Sequence, residues 1–132
     1  MDTTLNRQTF PKTQKLCHRK DIDLLFENGD SFFTHPFKVV IKETERKDES
    51  AVKLLISVPK KNLRSSVDRN RVKRLIREAY RLNKQSLFQL LQEKDKCLQI
   101  ALVYTGKQVP DFQSIEKSLL KILGKLILQF KS

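Results

Sequence analysis

The sequence predicts one α+β domain, with helices packed on a single sheet, and three observations carry that expectation. Apolar residues alternate with polar ones in two short runs, at Phe37, Val39 and Ile41 and at Val52, Leu54, Ile56 and Val58, as in strands with one buried face. Apolar residues recur at helical spacing in two longer stretches, after residue 67 and after residue 112. The chain has 132 residues with only 3 Gly and 4 Pro, which suits a few regular elements in one compact unit.

Residues 1–14 are polar and without period, and are expected to be a flexible segment ahead of a domain at 15–132. Asp21 to Asn28 reads as a short helix, with Ile22, Leu25 and Phe26 on one face and Asn28-Gly29 as its stop. Ser31 to Glu43 reads as extended. It is expected to pair as a hairpin with Val52–Val58 across a polar loop at 44–50. Pro59 closes that second strand. Ser65 or Ser66 then caps a helix from about Val67 to Lys84, which Leu87–Leu91 continues or follows with a short turn. Leu98–Tyr104 is nearly all apolar, which fits a central strand covered on both faces. After a turn at Gly106–Pro110, Asp111 caps a last helix that buries Ile115, Leu119, Ile122, Leu123, Leu126 and Phe130.

Charge narrows the function. The formal net charge is +12, and residues 59–84 hold ten basic side chains against two acids, Asp68 and Glu78. Such a surplus repels itself within a small fold. It becomes favourable against a polyanion, where each neutralised phosphate releases condensed counterions. At about 100° per residue, Asn70, Lys73, Arg74, Arg77 and Arg81 share one side of the helix. Val72, Leu75, Ile76, Ala79 and Leu82 share the other and are expected to dock on the sheet. Arg outnumbers Lys on the outer side, and its planar fork suits phosphate oxygens or a base edge. Lys60, Lys61, Arg64 and Lys84 extend the basic patch at both ends. A solvated basic helix, a membrane-surface helix and an acidic protein partner are the competing readings of this charge.

The run Arg69-Asn70-Arg71-Val72-Lys73-Arg74-Leu75-Ile76-Arg77-Glu78-Ala79-Tyr80 resembles the signature of the bacterial ribonuclease P protein family. Ser57-Val58-Pro59-Lys60-Lys61, Arg19–Gly29 and Gln99–Val103 resemble its strand end, first helix and last strand, so the likeness spans roughly 15–130. The resemblance implies an α-β sandwich of about four strands and three helices, with a left-handed β-α-β crossover against the usual rule. It implies a cytoplasmic accessory subunit of an endoribonuclease in which a catalytic RNA with bound Mg2+ cuts the 5′ leader from precursor tRNA. One protein is expected per RNA, and no membrane partner. Carried onto this sequence, Arg69, Asn70, Arg71, Lys73, Arg74 and Arg77 would contact the RNA and Lys60 and Lys61 would extend that surface, with Arg81 a candidate by its place on the same helix face. Phe26 matches an aromatic of a cleft for the single-stranded leader, and Phe37, which opens the matching strand, is ranked with it above Phe32 and Phe33, with core packing as the competing reading of all four. The sequence departs from the family pattern with Ile22 in place of Phe and Val40 in place of Tyr. Its 62–66 connection is one residue longer and lacks the usual Gly.

The remaining motifs point to no protein-borne chemistry. Cys17 and Cys97 form no C-x-x-C and suit a reducing compartment, and His18 and His35 lack metal-ligand spacing. There is no H-E-x-x-H, no Gly-rich phosphate loop and no triad signature. No signal peptide or membrane span is visible, so a cytoplasmic site is expected. A ribosomal-type structural RNA-binding protein, without a role in tRNA processing, remains the alternative.

Overall fold

A computed structural model describes residues 15–16, 19–45 and 51–131; the segment 1–14, Cys17, His18 and the loop centre at 46–50 lie outside the described residues. The elements in order are α1 (Arg19–Asn28), β1 (Asp30–Thr34), β2 (Phe37–Glu45), β3 (Val52–Ser57), α2 (Ser66–Asn83), α3 (Gln85–Glu93), β4 (Lys96–Tyr104) and α4 (Phe112–Lys131). They form one α+β sandwich around a four-stranded mixed sheet ordered β1-β2-β4-β3. Helices number four among the described residues, because Leu87–Leu91 lies in a helix of its own beyond Lys84.

Two strand expectations are corrected. The extended run from Ser31 breaks at His35-Pro36, and its halves pair antiparallel as β1 and β2. Pro36 has no N–H to give a ladder, so the chain turns there. The expected hairpin between β2 and β3 does not form. β4 lies between them, antiparallel to β2 and parallel to β3. Cys97, Leu98, Ile100, Ala101, Leu102 and Tyr104 are all buried, and a strand that apolar on both faces takes the centre.

The parallel β3-β4 pair is joined through α2 and α3, and its hand follows from one hydrogen bond. In an L-residue whose side chain faces the viewer on an upward strand, the N–H points right. Leu98 faces the helical layer and donates its N–H to Ala51 O at 2.8 Å, at the head of β3. Seen from the helices with β4 upward, β3 therefore lies to its right. The chain crosses in front from right to left, which is the left-handed connection the family resemblance implies.

The layers are unequal. Phe37, Val39, Ile41, Val52, Leu54, Leu98, Ile100 and Leu102 face a large core completed by Val72, Ile76 and Tyr80 of α2, Leu87 and Leu91 of α3 and the apolar stripe of α4. The opposite face carries a small cluster, Leu16, Leu25, Val40 and Ala101, with Ile22 and Leu55 against it. Leu16 donates to Leu54 O on β3 at 2.9 Å, and α1 ends beside Ile41 on β2. So α1 crosses the outer face from the β3 edge toward β1.

Gly29 ends that crossing, though not by a left-handed conformation, since no described glycine has positive φ. A Cβ at Gly29 would lie 2.5 Å from Leu25 O and 2.8 Å from Ile41 O, two backbone atoms with no room to yield. We expect Gly29→Ala to lower the unfolding free energy by about 1–3 kcal/mol, the range for overpacking. Denaturant titration checks this, and an unchanged midpoint would remove the close approach.

Candidate nucleic-acid interface

The basic helix α2 is built to hold its charges still. Ser65 caps it, its side chain accepting the Asp68 N–H at 3.3 Å. Val72, Ile76, Ala79 and Tyr80 are buried beneath it. Near its end the Asn83 amide donates to Glu116 Oε2 of α4 at 3.0 Å, and to Ala79 O at 2.8 Å. Tyr80 replaces Leu82 in the expected docking set: Tyr80 is buried, whereas Leu82 stands exposed.

The outward row is largely as the helical phase gives it. Asn70, Arg71, Arg74 and Arg77 are exposed and Lys73 is half-buried. Among the described residues, no ion pair joins Arg71, Lys73, Arg74 or Arg77 to a carboxylate. Lys60, Lys61 and Arg64 stand exposed on the turn that follows β3. Three residues depart from the expectation. Arg81 is tied to Glu78, one helical turn back, so its charge is partly neutralised within the protein. The Arg69 guanidinium donates to Leu63 O at 3.0 Å and Arg64 O at 2.7 Å, so it braces the basic turn. Lys84 does not extend the patch, being buried at 4 % exposure with its ammonium 5.3 Å from the Phe88 ring centre.

The second surface lies on the outer sheet face. The small apolar cluster under α1 covers the row Val40, Ala101 and Leu55. The next row toward the β4 terminus is Phe33, Lys38, Val103 and Ser57, one residue from each strand in register. Phe33 is 56 % exposed, Lys38 is exposed, and Val103 and Ser57 are half-buried. From Leu25, which points into the sheet, one right-handed step of about 100° turns Phe26 toward this row. Phe26 is 44 % exposed. Together they border an uncovered strip of the outer sheet face, a candidate cleft with an aromatic on either side. Phe37 does not belong to it: Phe37 is wholly buried on the helical face, edge-on to Tyr104 at 5.8 Å. Phe32, also on that face, lies under the Lys125 ammonium at 5.1 Å.

The two surfaces meet. Row Phe33–Ser57 ends where β3 passes into the Pro59–Leu63 turn, closed by Asn62 and Leu63 N–H groups on Pro59 O. Asn62 Nδ2 donates to Tyr104 O at 3.4 Å, which pins the turn to the end of β4. Lys60 and Lys61 therefore stand between the cleft and the exposed face of α2.

A family model described as Ribonuclease P matches residues 10–127. The chain belongs to the ribonuclease P protein family. It is 40% identical over 119 residues to the ribonuclease P protein component of Porphyromonas gingivalis, with 87% of each chain covered. With that of Chlorobium phaeobacteroides the identity is 37% over 132 residues, covering 92% of this chain and 90% of the other. The ribonuclease P protein structure from Thermotoga maritima has 26% identity and a TM-score of 0.66, covering 84% of this chain and 96% of that one. The protein from Staphylococcus aureus shares the fold at a TM-score of 0.67 with 23% identity, over 85% and 94% of the two chains. The family role is that of the protein component of ribonuclease P. No described helix is long and apolar enough to cross a membrane.

Sequence reasoning missed the burial of Lys84, although its place at the junction between α2 and the apolar α3, just ahead of the buried Leu87-Phe88, was a usable signal. Burial first, then the nearby Arg81 charge, lowers its pKa from 10.5 to about 8. Between about pH 8 and 10.5 the unfolded chain keeps a proton that the folded protein has released, so stability rises with pH across that window. We expect denaturant unfolding to show this rise, and Lys84→Met to flatten it. An equal slope in both proteins would contradict the depressed pKa.

Proposed function

We propose that the chain binds the RNA subunit of ribonuclease P through α2 and its leading turn, and holds the 5′ leader of precursor tRNA along the outer-sheet cleft. One observation carries this reading: Lys73, Arg74 and Arg77 form a row that no described carboxylate neutralises, on a helix locked to the core. Asn70 adds a donor and acceptor to the same row, suited to sugar or base edges. Arg71 flanks it, and Lys60 and Lys61 continue it toward the cleft. Arg69 acts at one remove, by holding the turn that presents those two lysines.

In this reading the RNA carries out hydrolysis and holds the Mg2+ ions that the chemistry needs. The chain supplies positioning. Its cations draw two RNA strands into one assembly and lower their mutual repulsion. Its aromatic-lined cleft accepts unpaired nucleotides by stacking, which tolerates any base. The leader distinguishes precursor from product, so a cleft that holds it favours substrate over mature tRNA. One chain per RNA, at work in the cytosol, is the arrangement this implies.

Cleavage of precursor tRNA by the cognate RNA at low Mg2+, with and without the chain, is the direct test, and we expect strong stimulation. No stimulation would leave the alternative of a structural RNA-binding protein. For the basic face, Arg74→Ala and Arg77→Ala should each flatten the salt dependence of RNA affinity by roughly 0.7–0.9 log units of slope. Arg81→Ala, already tied to Glu78, should change it less. Equal slopes in all four proteins would count against the row.

A further inference from the structure

We propose that Phe33, Lys38 and His35 form an additional nucleotide subsite at the β1 edge, taking a leader nucleotide farther from the cut than those beside Phe26. The inference rests on the reading of the cleft as the leader's path and goes beyond it. It assigns a chain-specific stacking residue and a direction.

The residues are brought together by strand geometry. Phe33 lies on β1 directly opposite Lys38 of β2. Opposite residues on one face are neighbours about 4.5–5.5 Å apart at Cβ, so a cation and a ring stand side by side. Phe33 is 56 % exposed, more than the 44 % of Phe26. The His35 ring lies 6.1 Å from the Phe33 ring, inclined at 56°, and His35 is itself exposed. Two open rings and an ammonium are the parts a single unpaired nucleotide needs: a flat surface for the base and a charge for its phosphate. An edge strand gains nothing from an exposed Phe in water, and a solvent-facing ring there invites association with other chains. A nucleobase partner gives that exposure a use.

The direction follows from the row. At one end Ser57 adjoins the turn with Lys60 and Lys61, next to the helix assigned to the catalytic RNA. At the other end is Phe33, beyond Lys38 and on the outermost strand. A leader leaving the cleavage site enters from the α2 side and reaches Phe33 last. The ring should therefore matter only for leaders long enough to cross all four strands.

The experiment measures affinity of the reconstituted holoenzyme for precursor tRNAs in a series of leader lengths, one nucleotide apart. Native protein should show a late step in affinity as the leader lengthens. Phe33→Ala should abolish that step, a loss between about fivefold and a hundredfold for long leaders, with short leaders and mature tRNA unaffected. Phe33→Trp should restore it, and Lys38→Gln should weaken it with a smaller salt dependence. Unfolding midpoints keep a folding defect separate. Phe26→Ala, run in parallel, separates the two claims. If Phe26→Ala impairs leader discrimination while Phe33→Ala does not, the subsite is overturned and the cleft stands. If neither substitution impairs leader discrimination, the cleft reading itself has failed. An equal loss with Phe33→Ala on every substrate also overturns the subsite.

Discussion

The double covering of β4 is the constraint on which the rest of the structure depends. Buried side chains on both of its faces need an apolar layer on each side of the sheet. α2, α3 and α4 supply the thick layer, and a single ten-residue helix, α1, supplies the thin one. One helix covers about one transverse row of a sheet, so α1 hides Val40 and Ala101 and leaves the row beside it bare. The cleft is what remains of an outer face that one helix cannot fill. The same demand drives β4 between β2 and β3, and so sets the strand order and the crossover that puts the head of α2 at the cleft's end.

Clustered charge is the second constraint, and the fold contains it by anchoring. A row of guanidinium groups repels itself, and a mobile helix would relieve that strain by fraying. Burial of Tyr80, Ile76 and Val72, the Ser65 cap and the Asn83–Glu116 bond oppose such release. At its margins the row is partly neutralised by the protein itself. Arg81 leans on Glu78 and Arg69 on two carbonyls, so the cations left without such a tie among the described residues are Arg71, Lys73, Arg74 and Arg77 of α2 with Lys60, Lys61 and Arg64 of the turn. Pre-organised cations lose little freedom on meeting a phosphate backbone, which leaves more of the counterion-release gain for binding.

What could be read from the sequence follows from the range of each signal. Helical periodicity is local, so α2 and α4 were legible with their caps, Ser65 and Asp111, whose carboxylate accepts the Ser114 N–H at 2.9 Å. Apolar content on both faces placed Leu98–Tyr104 at the sheet centre. Strand partnership is not local. The expected β2-β3 hairpin used proximity along the chain, while the fold joined each of those strands to β4. The basic row was legible as a face. Its internal ties at Arg69 and Arg81 depend on rotamers and turn carbonyls that a helical projection does not contain. The hand of the crossover came from family likeness alone, because the general rule points the other way.

The aromatic assignments turn on parity alone. Phe33 and Phe37 are both Phe, four residues apart, and flank the same turn, yet one is over half exposed and the other wholly buried. Side chains alternate strictly along a strand, so cross-strand pairing of Phe33 with Lys38 and of Thr34 with Phe37 fixes which ring meets solvent. The needed information was already in the alternation Phe37, Val39, Ile41 against Lys38 and Lys42: a residue heading the apolar series belongs to the core. Resemblance argued for Phe37 by position, and periodicity argued against it by face. The face decides, because a one-residue slip of β2 would bury Lys38 and Lys42 beneath α4 and bring Val39 and Ile41 to water.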